Sequence, residues 1–295
     1  MKHMHTLRNS ICLLVLAGSA ASAHADSVTL TAVADNTLYQ SETGSLSNGA
    51  GSAMFAGVNV LAPTTIRRAI MRFDIASAIP AGSTITAATL TLTQTGSNSD
   101  PQPCTLHRLH ASWGEGASVA GSGQGGGTPA QANDATWVHR FWSNTSWTTP
   151  GGDFMSNPSA TKIVGEPGPY SWIAPQVVAD VQYMLDSPAT DFGWLLKGNE
   201  DFAQTAKKFA TREDADPALR PTLVVEFSSP CRGDLNNDTF VDDADFVLFA
   251  SNYNILDCTD PAMTPGCPAD LNDDTFVDDS DFVLFVSAYN ELICP

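Results

Sequence analysis

Near the C-terminus, oxygen-bearing side chains recur at a fixed spacing. Asp234, Asn236, Asp238, Asp242 and Asp245 stand at positions 1, 3, 5, 9 and 12 of one stretch, and Asp270, Asn272, Asp274, Asp278 and Asp281 repeat the pattern 36 residues later. Carboxylates and amides at alternate loop positions converge on one point, and position 7 adds a backbone carbonyl, here that of Phe240 and of Phe276. A hard cation takes about six to eight such oxygens. Ca2+ suits that shell, because Mg2+ keeps more of its water in a tighter octahedron and zinc would want the Cys or His that both stretches lack. The spacing predicts two calcium sites. A solvated acidic tail is the plain alternative, but a tail has no reason to repeat its ligand spacing and to place an apolar stripe behind each copy.

Each stretch runs into such a stripe. Phe246, Phe249, Ala250 and Tyr253, then Phe282, Phe285, Val286 and Tyr289, fall at i, i+3, i+4 and i+7, so the last ligand of each loop should open a helix and the two stripes should face each other. Cys231 and Cys267 precede the loops, and Cys258 and Cys294 come after the helices, again with a step of 36. Four such cysteines read as two disulfides, for which three connectivities exist. If the helices run antiparallel, the ends of the repeat pair meet and so do the ends of the connector, which favours Cys231 with Cys294 and Cys258 with Cys267. A loop that leads into a helix, with no helix before it, resembles the dockerin type I repeat. The resemblance implies a dockerin-like calcium-binding module over 229–295 and a cohesin-like docking partner. Departures from that pattern are Thr239 and Thr275 at position 6, where glycine is usual, Asp in place of Glu at position 12, and Asp243-Ala244 and Asp279-Ser280 at positions 10 and 11, where cohesin-binding dockerins carry Ser-Thr.

The charge distribution separates this module from the rest. The chain of 295 residues has a net charge of -18; residues 229–295 hold 14 acidic residues against one basic residue, Arg232, whereas 26–228 hold 18 acidic against 11 basic. Such an acidic balance excludes a basic surface that tracks nucleic-acid phosphates. Residues 1–25 read as a secretory signal peptide: Lys2 and Arg8, then the apolar run Ile11–Ala17, then Ala23-His24-Ala25 as a small-x-small cleavage site. That run is too short to span a bilayer, so the expectation is a secreted, extracellular or cell-surface protein without membrane insertion.

Between the signal and the module the pattern has period two. Ala88, Leu90 and Leu92 alternate with Thr89, Thr91 and Thr93, and 68–75 and 222–227 read likewise, with Gly, Pro, Ser and Asn clusters between them. This predicts a mainly β fold, an antiparallel β-sandwich of jelly-roll-like kind, with one short helix over 175–185 where Val177, Val178, Val181 and Leu185 share a face behind Pro175. Cys104 reads as a buried free thiol. Ala34-Asp35-Asn36-Thr37-Leu38-Tyr39, Arg67–Ile75, Trp113-Gly114-Glu115-Gly116, Asp134-Ala135-Thr136-Trp137, Trp147–Phe154, Phe192–Leu196 and Arg220-Pro221-Thr222-Leu223 together resemble a DNRLRE-type domain across 26–228. Those are secreted bacterial β-sandwiches grouped with carbohydrate-binding modules. The resemblance implies a polysaccharide or cell-surface glycan as ligand.

Sugar rings stack on aromatic faces, and Trp113, Trp137, Trp142, Trp147 and Trp172 crowd one part of the domain, so they are candidate platforms, with core or loop anchoring as the competing role. Arg67, Arg68, Arg72, Lys207, Lys208 and Arg212 could form a basic strip for an anionic polysaccharide such as alginate, Arg68 and Arg72 sharing one strand face. Catalytic signatures are missing. Gly121–Gly126 matches GxGxxG by letter without the flanking strand and helix, and His107, His110 and His139 have no partner at ligand spacing. The expectation is a non-catalytic, carbohydrate-binding-type protein with a calcium-stabilised module, tied to polysaccharide binding or degradation. Two alternatives stand beside it: a polysaccharide lyase or glycoside hydrolase using a carboxylate pair such as Glu115 and Asp153, and a surface adhesion or structural protein with no sugar ligand.

Overall fold

The computed structural model describes residues 26–41, 43–59, 66–97, 99–238 and 240–291. The signal segment 1–25, Thr239 and Cys294 lie outside the described residues. Strands come first: Asp26–Thr31 (β1), Ala34–Tyr39 (β2), Leu46–Ser47 (β3), Ala53–Val58 (β4), Ile66–Arg72 (β5), Thr84–Ser97 (β6) and Gln102–Arg108 (β7). Next are Thr128–Pro129 (β8), His139–Phe141 (β9), Thr145–Ser146 (β10), Ala160–Val164 (β11) and Gly168–Trp172 (β12). Pro175–Asp186 (α1) then leads to Trp194–Lys197 (β13), Lys207–Ala210 (β14) and Thr222–Ser228 (β15), and the chain closes with Asp243–Tyr253 (α2) and Asp279–Glu291 (α3).

The protein is mainly β, with a curled antiparallel sheet and three short helices among the described residues. Eleven strands form that sheet in the order β1-β15-β6-β14-β4-β5-β13-β7-β11, with β12 beside β6 and β2 beside β5. The curl has a local cause in β4. Ala53–Ala56 pair with β14, whereas Gly57 and Val58 pair with β5. Gly57 sits at the changeover with φ +114, and a Cβ there would lie 2.8 Å from the Thr205 carbonyl oxygen. Only glycine lets the strand turn from one half of the sheet to the other at this point.

Alternation then does what period two demands. Ala88, Leu90 and Leu92 of β6 and Leu223 and Val225 of β15 share one core with Ala69 and Met71 of β5 and Trp194 and Leu196 of β13, contributed by the other half of the sheet. The expected helix is α1, opened by Pro175, and it buries Val177, Val181, Met184 and Leu185 in that core. Its buried Asp180 accepts hydrogen bonds from Ser159 at 2.5 Å and from the Trp194 indole at 3.0 Å, and it pairs with Arg108 at 3.4 Å. A second core lies on the outer face of β2, β5 and β13, where Leu38, Ile70 and Leu195 are covered by Leu109, Trp113, Ala135, Trp137 and Trp147 from the loops between β7 and β11. A third is made by Val241, Phe249, Met263, Ala269, Leu271, Val277 and Phe285 around α2 and α3.

Cys104 is fully buried and unpaired. Burial pushes its thiol up to about 12, with Lys207 nearby opposing that shift. At pH 8 it should therefore be inert to a disulfide thiol reagent such as Ellman's reagent in the folded protein, and should react with one equivalent once a denaturant has opened the sheet; rapid labelling of the native protein at this residue would contradict its placement.

Candidate metal centre

The repeated spacing closes two similar loops. One carboxylate oxygen from each of Asp234, Asp238 and Asp245 lies within 4.8 Å of the other two, and the same holds for Asp270, Asp274 and Asp281. Backbone N–H groups set this up. The Asp238 N–H donates to Asp234 Oδ1 at 3.0 Å and to Asn236 Oδ1 at 2.9 Å, and Phe240 N–H donates to Asp238 Oδ1 at 3.0 Å. In the second loop Asp274 N–H reaches Asp270 and Asn272, and Phe276 N–H reaches Asp274, at 3.1, 2.9 and 2.9 Å. Short polar side chains that accept from a backbone two residues on are what wind a loop this tightly. The bend also demands left-handed backbone: Asn237 and Asp273 have φ +62 and +63, and Thr275, at the position where glycine is usual, has φ +76.

Position 12 ties the loop to its helix. Asp245 and Asp281 are fully buried. Asp245 Oδ1 accepts from the N–H groups of Leu235 at 2.7 Å and Asn236 at 3.0 Å, while its Oδ2 accepts from Asp242 N–H at 3.0 Å. Asp281 repeats all three bonds, with Leu271, Asn272 and Asp278, at 2.7, 3.0 and 2.9 Å. The helices begin two residues before Asp245 and Asp281, at Asp243 and Asp279. Asp242 is the N-cap of α2 and forms a reciprocal capping box with Asp245, and Asp242 and Asp278 accept from the N–H groups of Ala244 and Ser280, each at 2.8 Å. Position 9 thus serves the helix end and stays outside the three-carboxylate group. Position 7 of the second loop is oriented toward it. The bridge between Asp257 and Phe276 uses the Cys258 N–H with the Thr275 carbonyl and the Val277 N–H with the Leu256 carbonyl. Phe276 therefore turns its own N–H and carbonyl the other way, to the side of Asp274.

The two loops are joined by the antiparallel helices. Tyr253 at the end of α2 donates to Asp279 Oδ1 at 2.5 Å at the start of α3, and Tyr289 donates to Asp243 Oδ1 at 2.6 Å at the start of α2. These carboxylates hold both phenols above their ordinary range. Between them Phe249 stacks on Phe285 with ring centroids 4.9 Å apart. The stripes meet only in part, since Phe246 and Phe282 keep 45% and 40% exposure and Val286 keeps 39%. Cys258 and Cys267 are bonded to each other; Cys231 is also disulfide-bonded, and Cys294 lies outside the described residues. The approach of Cys258 and Cys267 to Asp270 is explained by that disulfide, whose sulfurs are not thiolate ligands. Arg232 crosses from the first loop to the second, donating to the Leu271 carbonyl and to Asp273 at 3.2 Å.

The chemistry of the donor set is that of a hard cation. Each loop offers several oxygens, no imidazole and no free thiol, and three like charges in close proximity that a divalent ion would hold together.

The aromatic candidates are placed differently. Trp113, Trp137, Trp147 and Trp172 are all buried, and the indole N–H groups of Trp113, Trp147 and Trp172 donate to the carbonyls of Phe192, Thr136 and Cys104 at 2.8, 2.9 and 3.0 Å. Their faces are not open to a sugar ring. Trp142 alone of the five is half-buried, edge-on to His139. The basic candidates are dispersed as well. Arg68 makes a bidentate pair with Glu200 at 2.8 and 2.9 Å and lies over the Trp137 ring, while Arg72 is exposed. Lys207 is buried, with its Nζ donating to Ser97, Ser99 and Asp100; Arg212 is clamped to Glu115 by two bonds of 2.7 Å. Arg67 and Lys208 do converge, lining a groove of about 320 Å3 with Phe55, Asn59 and the Gly123–Gly125 turn. Of the carboxylate pair considered for hydrolysis, Glu115 is held by Arg212, and Asp153 accepts from the N–H groups of Thr148 and Thr149, both at 2.9 Å. An acidic group built from Asp35, Glu115 and Glu213 was not legible in the sequence, because its members are dispersed along the chain and share no spacing.

No family model matches the chain, and no curated protein is significantly similar to it. Any function has to be argued from the geometry.

Burial of the indoles changes what mutating them should do. Trp147→Ala removes a buried ring and leaves the Thr136 carbonyl without its donor, so it should lower stability by about 3–5 kcal/mol; Trp142→Ala should cost well under half of that. Denaturant unfolding of both variants checks the order.

Proposed function

We propose that this is a secreted, non-catalytic protein in which a β-sandwich of the carbohydrate-binding type is carried by a dockerin-like module that two Ca2+ ions stabilise. The observation that supports the module is the convergence of Asp234, Asp238 and Asp245, repeated 36 residues later by Asp270, Asp274 and Asp281. Asp234, Asn236, Asp238 and the Phe240 carbonyl would hold the first ion together with Asp245, and their equivalents the second; Asp242 and Asp278, whose Oδ1 atoms cap the helices, would complete each shell from position 9. When bound, the ion supplies charge neutralisation and cross-links the loop to its helix. The pairing of the helices through Tyr253–Asp279 and Tyr289–Asp243 means that filling one loop steadies the helix start of the other.

For the sandwich, the groove lined by Arg67, Lys208, Phe55 and Asn59 supports an anionic sugar as ligand, with the Lys208 ammonium for a carboxylate and an aromatic edge for the ring, while the buried Arg67 guanidinium, which donates to the Gly125 carbonyl at 3.0 Å, adds positive charge to the groove wall. The resemblance to DNRLRE-type domains agrees with that ligand class. Retention of the full chain on immobilised alginate, reduced about tenfold by Lys208→Ala with the melting curve unchanged, is the expected result; equal retention of the variant would leave the adhesion or structural role.

Binding and folding are linked for the calcium loops, so an ion at a hundredfold excess over its dissociation constant adds about 2.7 kcal/mol per site. In a calorimetric titration of the full chain, Asp234→Ala and Asp270→Ala should each remove one Ca2+. EGTA should reduce the far-ultraviolet helical signal while the β signal persists. An identical isotherm for wild type and both variants would refute the calcium assignment.

A further inference from the structure

A separate acidic group lies in the β portion, away from the two loops. Asp35 of β2, Glu115 in the loop after Trp113 and Glu213 just beyond β14 each bring one carboxylate oxygen to within 4.8 Å of the others. The backbone around them is pinned. Asn36 Nδ2 donates to the Glu115 carbonyl at 2.8 Å, Asp35 N–H donates to Glu115 Oε1 at 2.9 Å, and Arg212 N–H donates to Asp35 Oδ2 at 2.8 Å. A single guanidinium serves the group: Arg212 clamps Glu115 and also reaches Glu213 Oε1 at 2.9 Å. Fully ionised, three carboxylates against one guanidinium carry two negative charges.

Two further facts single this group out from ordinary surface acid. Asp35 is fully buried, and its Oδ1 has no hydrogen-bond partner. Glu213 Oε2, shut from solvent, has none either. A buried, ionised oxygen without a donor is among the least tolerated arrangements in a folded protein. Burial drives the Asp35 carboxyl well above the usual carboxylate range, with Glu213 and Glu115 adding to the shift, and burial raises Glu213 too. A bridging water would satisfy the oxygens but would leave the charge. A divalent cation does both.

We infer that Asp35, Glu115 and Glu213 form a third cation site, independent of the two loops, that takes a hard divalent ion of the Ca2+ class. Arg212 is the positioning residue: its guanidinium holds Glu115 and Glu213, and its backbone N–H holds Asp35. The ion would join β2 to the chain after β14 and to the loop that carries Glu115, locking the cover over the second core to the sheet beneath it.

The test uses the full chain carrying both Asp234→Ala and Asp270→Ala, stripped with EDTA and titrated with CaCl2 at pH 7 by calorimetry and by thermal melting of the β signal. One remaining site and a rise in melting temperature of about 5 °C or more at saturation are expected. Adding Glu213→Gln should weaken that site at least tenfold and abolish the rise, while the melting temperature in EDTA stays the same or increases because a like charge has gone. Asp35→Asn should act in the same direction and guards against a folding defect in the first variant. Absence of both heat and melting shift would overturn the site and assign the group to a proton or a water instead; a shift that survives Glu213→Gln and Asp35→Asn would place the ion elsewhere. Failure of the loop assignment is distinguishable, since the chain with native loops would then bind no more ions than the loop variant.

Discussion

A carboxylate removed from water at the foot of a helix is costly unless donors surround it, and the C-terminal segment is arranged around two such groups. Asp245 and Asp281 accept three backbone N–H groups each, two from the start of the loop and one from the helix cap. Those bonds fix the distance between the start of each loop and its last carboxylate. They also fix where the helix begins, since the same residue completes the capping box in α2. The helix starts in turn set the position of the Phe249–Phe285 stack and the reach of each tyrosine to the opposite helix start. The polar loop and the small apolar core are two consequences of one buried group.

The β portion solves a different problem. Its sheet has two faces to cover, and the inner one is closed by curling at Gly57 and by α1. The outer face of β2, β5 and β13 is covered by a long loop segment with little regular structure of its own. Tryptophan suits that task, because one ring covers a large apolar area and its N–H can satisfy a carbonyl that no ladder serves. The bonds from Trp113 to Phe192 and from Trp147 to Thr136 do this directly. An aromatic-rich, Gly-rich stretch that could present rings to a sugar therefore spends most of them as anchors.

Basic residues are similarly committed. Arg68 is engaged by Glu200, Lys207 by Ser97, Ser99 and Asp100, Arg212 by Glu115 and Arg67 by the Gly125 carbonyl, which leaves Lys208 beside the groove and Arg72 exposed elsewhere. In a chain with so few cations, each one used to hold a loop is one fewer available for an anionic ligand. The same scarcity is seen where one guanidinium serves both Glu115 and Glu213 while Asp35 is left to the Arg212 backbone N–H.

The sequence by itself determined whatever depends on near neighbours along the chain. Period two in 84–93 meant a strand with a buried and a wet face, Pro175 and the valines after it meant α1, and the repeat of ligand spacing meant two similar loops, because turns, caps and periodic faces are set within a dozen residues. It also led to the pairing of Cys258 with Cys267 once the helices were taken as antiparallel. Tertiary structure decided which member of a local pattern does what. Position 9 went to the helix cap because Asp242 and Asp278 precede the helix starts; Trp113, Trp137 and Trp147 went inward because a bare sheet face lay beneath them, and Trp172 because its strand turns it into the first core. The meeting of Asp35 with Glu115 and Arg212 joins positions 80 and 177 apart, and no pattern in one sequence records such a contact, since only the register of strands and the path of the covering loop bring those atoms together.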